Sequence, residues 1–281
     1  MSVENRFGGL PVDREAVAGT WVPQGSQFYG LYARELIKTF RNPWVIVITV
    51  VQPFMWLAFF GSSFANVPLA QLDLLLHAPP GTGYLQFLLP GVLSTSMLTI
   101  GMFGSMSTIQ DKRFGFMKRI LLTPTSKSTV YLTKALGSAT RGMVQIPVML
   151  VAAWAFGISF QGSLLMWLGW LLGLAFLGFG FSAFFLAVTA SSTDWQTPGV
   201  ISNFITMPLM FASGALFPSA NYPGWMQTIA AYNPVGYAAL LGRGVVVNGT
   251  FEWTYLGYLA AFAAVMLAVG TAVASRYLKV E

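Results

Sequence analysis

The most constraining feature of this sequence is the stretch from Gly142 to Gly242, which contains no Lys or Arg and a single acidic residue, Asp194. A soluble domain is on average about 25% charged. The whole chain is 55% hydrophobic and 9% charged. A water-soluble fold is therefore excluded, and we expect the chain to cross a membrane.

The lengths of the apolar runs predict the number of crossings. A helix that spans the hydrocarbon core needs about 20 apolar residues. The sequence therefore predicts an all-α polytopic fold in which residues 28–281 form the transmembrane domain. Its six spans are expected at about 44–64, 87–107, 142–158, 164–190, 200–217 and 254–274. Residues 1–27 carry several charges and no apolar run, and we interpret them as a flexible cytoplasmic tail rather than a signal peptide.

The distribution of charge predicts the orientation. The formal net charge is +6, from 15 Lys and Arg against 9 Asp and Glu. In the six-span arrangement every Lys and Arg except Arg243 falls on one side of the membrane. Short loops rich in Lys and Arg stay in the cytoplasm, so a multi-pass plasma-membrane protein with both termini inside is expected. The positive charge is thus interpreted as a topology signal, and no nucleic-acid partner is predicted.

Residues 28–41, before the first span, alternate apolar and charged side chains at helical spacing. Arg34, Lys38 and Arg41 would face the anionic headgroups of the inner leaflet if this helix lay in the membrane interface. The pair Asn42-Pro43 should end it. A plain anchor beside the membrane is the alternative.

Few residues on this chain can carry chemistry. Cys is absent and His77 is the single His, so no metal site is expected. The predicted spans hold no Asp, Glu or His of the kind that proton-driven carriers use. We predict no catalytic and no cofactor-binding residue. The sequence also lacks Gly-x-x-x-x-Gly-Lys-Ser/Thr, the loop that cradles nucleotide phosphates, so any ATP-driven work would have to be done by another polypeptide.

The basic loop at Gln110–Lys134 has helical spacing, with Phe114, Met117 and Leu121 on one face. The pair Thr123-Pro124 should end this helix. One interpretation is that the loop only sets topology and contacts lipid headgroups. The other is a docking helix for a cytoplasmic partner, since apolar side chains rimmed by charge are typical of interfaces.

The segment from Pro218 to Gly249 is apolar and aromatic but too interrupted for one span. It predicts two short helices, at about Gly224–Tyr232 and Pro234–Arg243, broken at Asn233. They would dip into the outer leaflet and return. An ordinary folded outer loop is the alternative.

Several motifs resemble those of ABC-2 type transporter permeases. One is the run from Gln110 to Pro124, in which a basic pair, Gly115 and a Thr-Pro pair stand at the spacing typical of the family. The others are Tyr32–Leu36, Ser213–Pro218, Pro223, Asn233, Pro234, Tyr237 and Arg243. The resemblance covers residues 28–280. This family includes membrane subunits of drug, lipid, nodulation-factor and polysaccharide exporters.

The resemblance implies a cytoplasmic coupling helix that docks an ABC ATP-binding subunit, two of which serve each complex. Its residues would be Gln110, Asp111, Lys112, Arg113, Phe114, Gly115, Phe116, Met117, Lys118 and Arg119. It also implies a second permease, as a copy or a homologue, and a re-entrant outer hairpin. The hairpin would include Pro218, Pro223, Asn233, Pro234, Tyr237 and Arg243.

The expected function is export of a lipophilic drug or lipid-like molecule by alternating access. Asn203, Thr206 and Met210 share one face of the fifth predicted span and are candidates for the translocation path, although packing explains them equally well. Within the family, export of a polysaccharide or lipid-linked glycan is the alternative. A stand-alone channel or carrier and a membrane enzyme acting on lipid are more distant alternatives.

Overall fold

The computed structural model describes residues 24–64, 83–114, 125–191 and 196–277. These ranges form α-helices and no β-strand, which confirms the all-α prediction for the part described. A 3₁₀ turn at Ser219–Asn221 and a π-helical turn at Gly244–Asn248 flank the two shortest α-helices. In chain order the α-helices are α1 (Gln24–Phe40), α2 (Pro43–Phe64), α3 (Tyr84–Arg113), α4 (Lys127–Ala155), α5 (Leu164–Ser191), α6 (Thr197–Phe211), α7 (Gly224–Tyr232), α8 (Pro234–Arg243) and α9 (Trp253–Tyr277).

Five of the described helices, α2, α3, α4, α5 and α9, are long and apolar enough to cross a membrane. Helix α6, the predicted fifth span, has 15 residues. At 1.5 Å per residue it is about 22 Å long, shorter than a hydrocarbon core of about 30 Å. The chain leaves the helix at Ala212 and passes through a bent segment to Pro218. The sixth crossing therefore stays a prediction.

Helix α4 begins fifteen residues before the start predicted for the third span, at Lys127 instead of Gly142. The Ser126 side chain caps it by accepting a hydrogen bond from the backbone N–H of Thr129. Lys134 and Arg141, which the charge pattern places in a loop, are thus part of a continuous helix. The membrane-length helices therefore contain charged side chains that the sequence-based boundaries left outside.

The core forms around α3 and α5. Helix α5 packs against α3, α4 and α9, and Trp170 and Phe185 on α5 are completely buried. Gly101 allows the close approach of α3, because a Cβ there would lie 2.9 Å from the backbone nitrogen of Ser182. Helices α2 and α9 lie at the periphery and are mostly exposed. Such apolar surfaces suit lipid or a second subunit.

The bounds predicted for the two short outer helices are confirmed by α7 and α8. Asn233 separates them. Its side-chain Oδ1 accepts a hydrogen bond from the backbone N–H of Val235 at 3.0 Å, and its Nδ2 donates to the carbonyl of Leu209 at 2.7 Å. Pro234 occupies the first turn of α8, where its missing N–H costs nothing. The dip into the outer leaflet stays a prediction.

Two predicted features fall largely outside the described residues. They are the N-terminal tail, of which only residues 24–27 are described and belong to α1, and residues 115–124 of the basic loop. The predicted helix at residues 28–41 corresponds to α1, which ends at Phe40, just before Asn42-Pro43. Its position at the membrane interface is untested.

Candidate functional site

Five charged side chains from three helices form an ion cluster whose two carboxylates and central lysine are buried. Arg34 of α1 lies 3.7 Å from a carboxylate oxygen of both Glu35 and Asp111. Lys134 on α4, 5% exposed, bonds to Asp111 of α3 and lies 3.2 Å from Oε1 of Glu35 on α1. Lys38, one turn after Glu35, donates to Asp111 Oδ1 at 3.0 Å and to Ser107 Oγ at 2.8 Å. Each carboxylate thus has a cation, which is the condition under which a buried charge is tolerated.

The ion cluster lies at the two ends of the basic loop. Asp111 is two residues before the end of α3, and Lys134 is in the second turn of α4. Helix α1 joins them, and a hydrogen bond of 2.8 Å between the hydroxyls of Tyr32 and Thr140 extends this contact along α4. A displacement of the loop would therefore be transmitted to α1.

The residues predicted to dock an ATP-binding subunit do not all lie in the same place. Gln110 to Arg113 continue α3, and Phe114, 77% exposed, follows its end. Asp111 is buried, and its carboxylate is directed at α1 and α4 rather than at the surface. Residues Gly115 to Arg119 lie outside the described part of the chain. Whether these residues dock a partner stays a prediction.

A cavity of about 420 Å³ begins beside the ion cluster and runs between α2, α3 and α4. Trp56, Val92 and Ile100 contribute apolar surface, while Thr95 and Thr99 contribute hydroxyls. Ile48, Gln52 and Phe103 are exposed at its margin. A mostly apolar cavity with a few polar groups is typical of a site for a small amphipathic molecule.

One of the three residues predicted to line the translocation path contributes to the cavity wall. Met210 on α6 lines it. Thr206 is buried and donates to Sδ of Met102 at 3.6 Å, so it packs α6 against α3. Asn203 is on the exposed side of α6.

Most of the cavity wall was missed by sequence reasoning. Thr95, Thr99 and Phe103 on α3 repeat at four-residue spacing, which is the helical signal by which this face could have been found. Arg141 and Gln145 of α4 share this four-residue spacing, but the charge pattern assigns Arg141 to the cytoplasmic loop and Gln145 to the start of the third span, so the two were not combined into one face.

The hairpin residues are held on the far end of α3. Arg243 donates from Nη2 to the carbonyl of Ala215 at 2.6 Å and from Nε to that of Phe87 at 3.2 Å, and it stacks 3.6 Å from the centre of the Phe87 ring. Burial lowers the pKa of the Arg243 guanidinium, but an arginine remains charged at neutral pH. A Cβ on Gly91 would meet the carbonyl oxygen of Ala215, so only Gly fits this approach.

The remaining hairpin residues shape the turns. Pro218 precedes the 3₁₀ turn, and Pro223 precedes α7. The Tyr237 hydroxyl donates to the carbonyl of Ala231 and joins α8 to α7. The structure thus brings the six predicted hairpin residues into one unit.

Membrane-length helices beside a laterally open cavity, with an ion cluster at one end of α3 and a helical hairpin at the other, are typical of a multi-pass membrane permease. A family model described as ABC-2 type transporter matches residues 26–247. The chain therefore belongs to the ABC-2 type transporter family.

Three proteins of similar sequence have names that describe permeases. The putative transport permease ycf38 of Porphyra purpurea is 25% identical over 239 residues, which are 80% of this chain and 75% of the relative. The probable doxorubicin resistance ABC transporter permease protein DrrC of Mycobacterium tuberculosis is 24% identical over 85% of this chain and 86% of its own. The daunorubicin resistance ABC transporter permease protein DrrB1 of Streptomyces coeruleorubidus is 27% identical over 66% of this chain and 65% of its own.

Proposed function

We propose that this chain is the membrane subunit of an ATP-driven exporter that moves a lipophilic drug or lipid-like substrate out of the cell by alternating access. A separate subunit, present twice per complex, binds Mg²⁺ and hydrolyses ATP. Two permeases enclose the path. Each lies in the plasma membrane, crosses it six times and has both termini in the cytoplasm. The observation that carries the proposal is the ion cluster, which joins α1 to both ends of the loop predicted to dock the ATP-binding subunit.

Coupling requires that movement of the loop changes the walls of the path. Asp111 and Lys134 lie on opposite sides of the loop and bond to each other and to α1. The same α3 and α4 form the cavity wall directly above them. Because packed helices shift between discrete arrangements, a push on the loop would tilt α3 and α4 together and change the cavity.

The exposed apolar faces of α2 and α6 support a second permease beside the cavity. On α6, Phe204 is 79% exposed and Val200 69%. On α2, Ile48 is exposed and also lines the cavity. A second copy on this side would close the cavity laterally and convert it into part of a path between two subunits.

The cargo is proposed from the cavity and from the relatives. The wall combines aromatic, aliphatic and hydroxyl side chains, which suits a hydrophobic molecule with some polar groups. The names of two relatives state resistance to doxorubicin and daunorubicin. These observations favour a lipophilic cargo over a polysaccharide.

The test is reconstitution of the chain with the ATP-binding subunit encoded beside it. We expect ATP-dependent accumulation of doxorubicin in inside-out proteoliposomes, and none with a partner whose Walker A Lys is replaced. Equal movement without the partner would show a channel or carrier and overturn the proposal. ATP-dependent movement of a lipid-linked glycan, but not of doxorubicin, would overturn the cargo class alone.

The docking loop has its own test. Replacing Phe114, Met117 and Arg119 together with Ala should abolish co-purification with the ATP-binding subunit. The control replaces Lys127, which lies at the start of α4, and should leave the complex intact. An intact complex with drug-stimulated ATP hydrolysis in the triple variant would show that the coupling helix was assigned wrongly.

A further inference from the structure

One wall of the cavity contains a buried amide that has no partner. Gln145 on α4 is 1% exposed. Neither its Nε2 nor its Oε1 makes a hydrogen bond within the part of the chain that the structure describes. An unpaired buried amide is costly and uncommon. Gln145 lines the cavity, and rotation of its side chain would present the amide to a bound molecule with polar atoms.

Arg141 lies one helical turn before Gln145 and lines the same cavity. Its Nε is buried without a hydrogen-bond partner, and among the described residues no carboxylate oxygen lies within 4.0 Å of its guanidinium. This distinguishes it from Lys134, which is paired with two carboxylates. The cavity therefore has a cation available for a ligand.

The charged side chains beside Arg141 already carry a net positive charge. The carboxylates of Glu35 and Asp111 are shared by Arg34, Lys38 and Lys134, so these five groups already carry an excess of one positive charge. Arg141 adds a second. Lys38 lines the cavity as well. The positive potential at this end of the cavity favours an anion.

The depth of Arg141 argues against a role in topology alone. It precedes Ala155, the last residue of α4, by about 21 Å at 1.5 Å per residue. A hydrocarbon core is about 30 Å thick. With Ala155 near the outer boundary, Arg141 lies inside the core, where a charged side chain is costly and generally functional.

We propose that the cavity binds amphiphiles with an anionic headgroup. The phosphate or carboxylate of the headgroup is held by the Arg141 guanidinium and the Gln145 amide nitrogen. The tail lies along the apolar wall formed by Trp56, Val92 and Ile100. The inference rests on the proposed exporter function and assigns this cavity to the lipid-like, anionic part of its cargo rather than to an amine such as doxorubicin.

The absence of Cys makes a direct test possible. Thr99→Cys places a single thiol in the cavity wall, and Ser62→Cys places one on an exposed part of α2 as the control. The complex, assembled with a Cys-free ATP-binding subunit in phosphatidylcholine nanodiscs, is treated with N-ethylmaleimide. Dodecyl phosphate, dodecyltrimethylammonium or glycerol phosphate is added, and labelling is followed by mass spectrometry.

Dodecyl phosphate should protect Thr99→Cys at a concentration about tenfold lower than dodecyltrimethylammonium, which is the factor expected of one charge-assisted contact. Neither should protect Ser62→Cys. Arg141→Gln should remove the preference and Arg141→Lys should retain part of it. If Arg141→Gln does not assemble, Gln145→Leu should still weaken protection by dodecyl phosphate several-fold.

Equal protection by the two amphiphiles, or an unchanged preference in Arg141→Gln, would overturn the inference. Comparable protection by glycerol phosphate would overturn the amphiphile and point to a water-soluble anion. Assembly and ATP hydrolysis are measured on the same samples. A chain that shows the preference but binds no ATP-binding subunit would contradict the exporter function, whereas a working exporter without the preference would contradict only this inference.

Discussion

Lys134 Nζ lies 3.2 Å from Glu35 Oε1, although 99 residues separate them in the sequence. The same ammonium group bonds to Asp111. This buried cation thus links α1 and the end of α3 to α4. Lys38, which bonds to Asp111, and the Tyr32–Thr140 hydrogen bond support the same contact from α1.

Lys134→Met should destabilise the protein strongly. The substitution removes the positive charge that the buried carboxylates of Glu35 and Asp111 share. Breaking a buried ion pair costs about 3–5 kcal/mol. Thermal unfolding of the purified chain measures this loss. Lys127→Met, at the start of the same helix, is the control and should change little. The triple variant with Glu35→Gln and Asp111→Asn should recover much of the stability, and a Lys134→Met variant as stable as the parent would contradict the role of the ion cluster.

Gly91→Ala should displace the outer hairpin from α3. The added Cβ would overlap the carbonyl oxygen of Ala215, which is backbone and has no free rotation. Overpacking costs about 1–3 kcal/mol, and a backbone clash should lie at the upper end. Gly257→Ala on α9 is the matched control, since a Cβ there meets nothing within 4 Å. Hydrogen exchange of α8 should accelerate in the first variant and not in the second.

Asn233 allows its two hydrogen bonds to be separated. Asn233→Ser keeps an oxygen that can cap α8 but loses the amide donor to Leu209, whereas Asn233→Ala loses both. We expect Asn233→Ala to cost about 2 kcal/mol and Asn233→Ser less, because a cap and a hydrogen bond are each worth about 1 kcal/mol. Denaturant unfolding of the two variants checks the order. Equal losses would mean that the cap contributes nothing.

A second permease beside the cavity predicts a specific cross-link. Phe204→Cys on the exposed face of α6 should form an intermolecular disulfide on mild oxidation in the membrane. Val265→Cys, on the exposed face of α9, should not. The chain has no Cys of its own to interfere. Dimers are read on a non-reducing gel, and efficient cross-linking only through α9 would place the interface on the opposite face.

The two outer helices were predictable because their bounds depend on local chemistry. Pro223 and Pro234 begin helices and Asn233 caps one, so the signals lie within a few residues of the structure they specify. The boundary of α4 was not predictable in this way. Lys134 and Arg141 are typical of loops in a hydropathy scan, and their place in a helix depends on groups contributed by α1 and α3.

The residues predicted to line the translocation path show the same difference between what local spacing and what tertiary packing specify. Helical spacing identified one face of α6, but only Met210 of that face reaches the cavity, because Thr206 is buried against Met102. The cavity wall comes mainly from α2, α3 and α4; α3 and α4 pack against α5, whereas α2 packs against α3 and α4. No periodicity within one helix specifies which neighbour it faces.

The sequence by itself determined that this chain is helical and membrane-borne, because these properties follow from the length and spacing of its apolar runs. The tertiary structure decided which charged residues enter the membrane-length helices, since a buried charge depends on partners far away in the chain. It also decided that Arg141 and Gln145 face a cavity. That arrangement exists only once five helices, α1, α2, α3, α4 and α6, have packed around it.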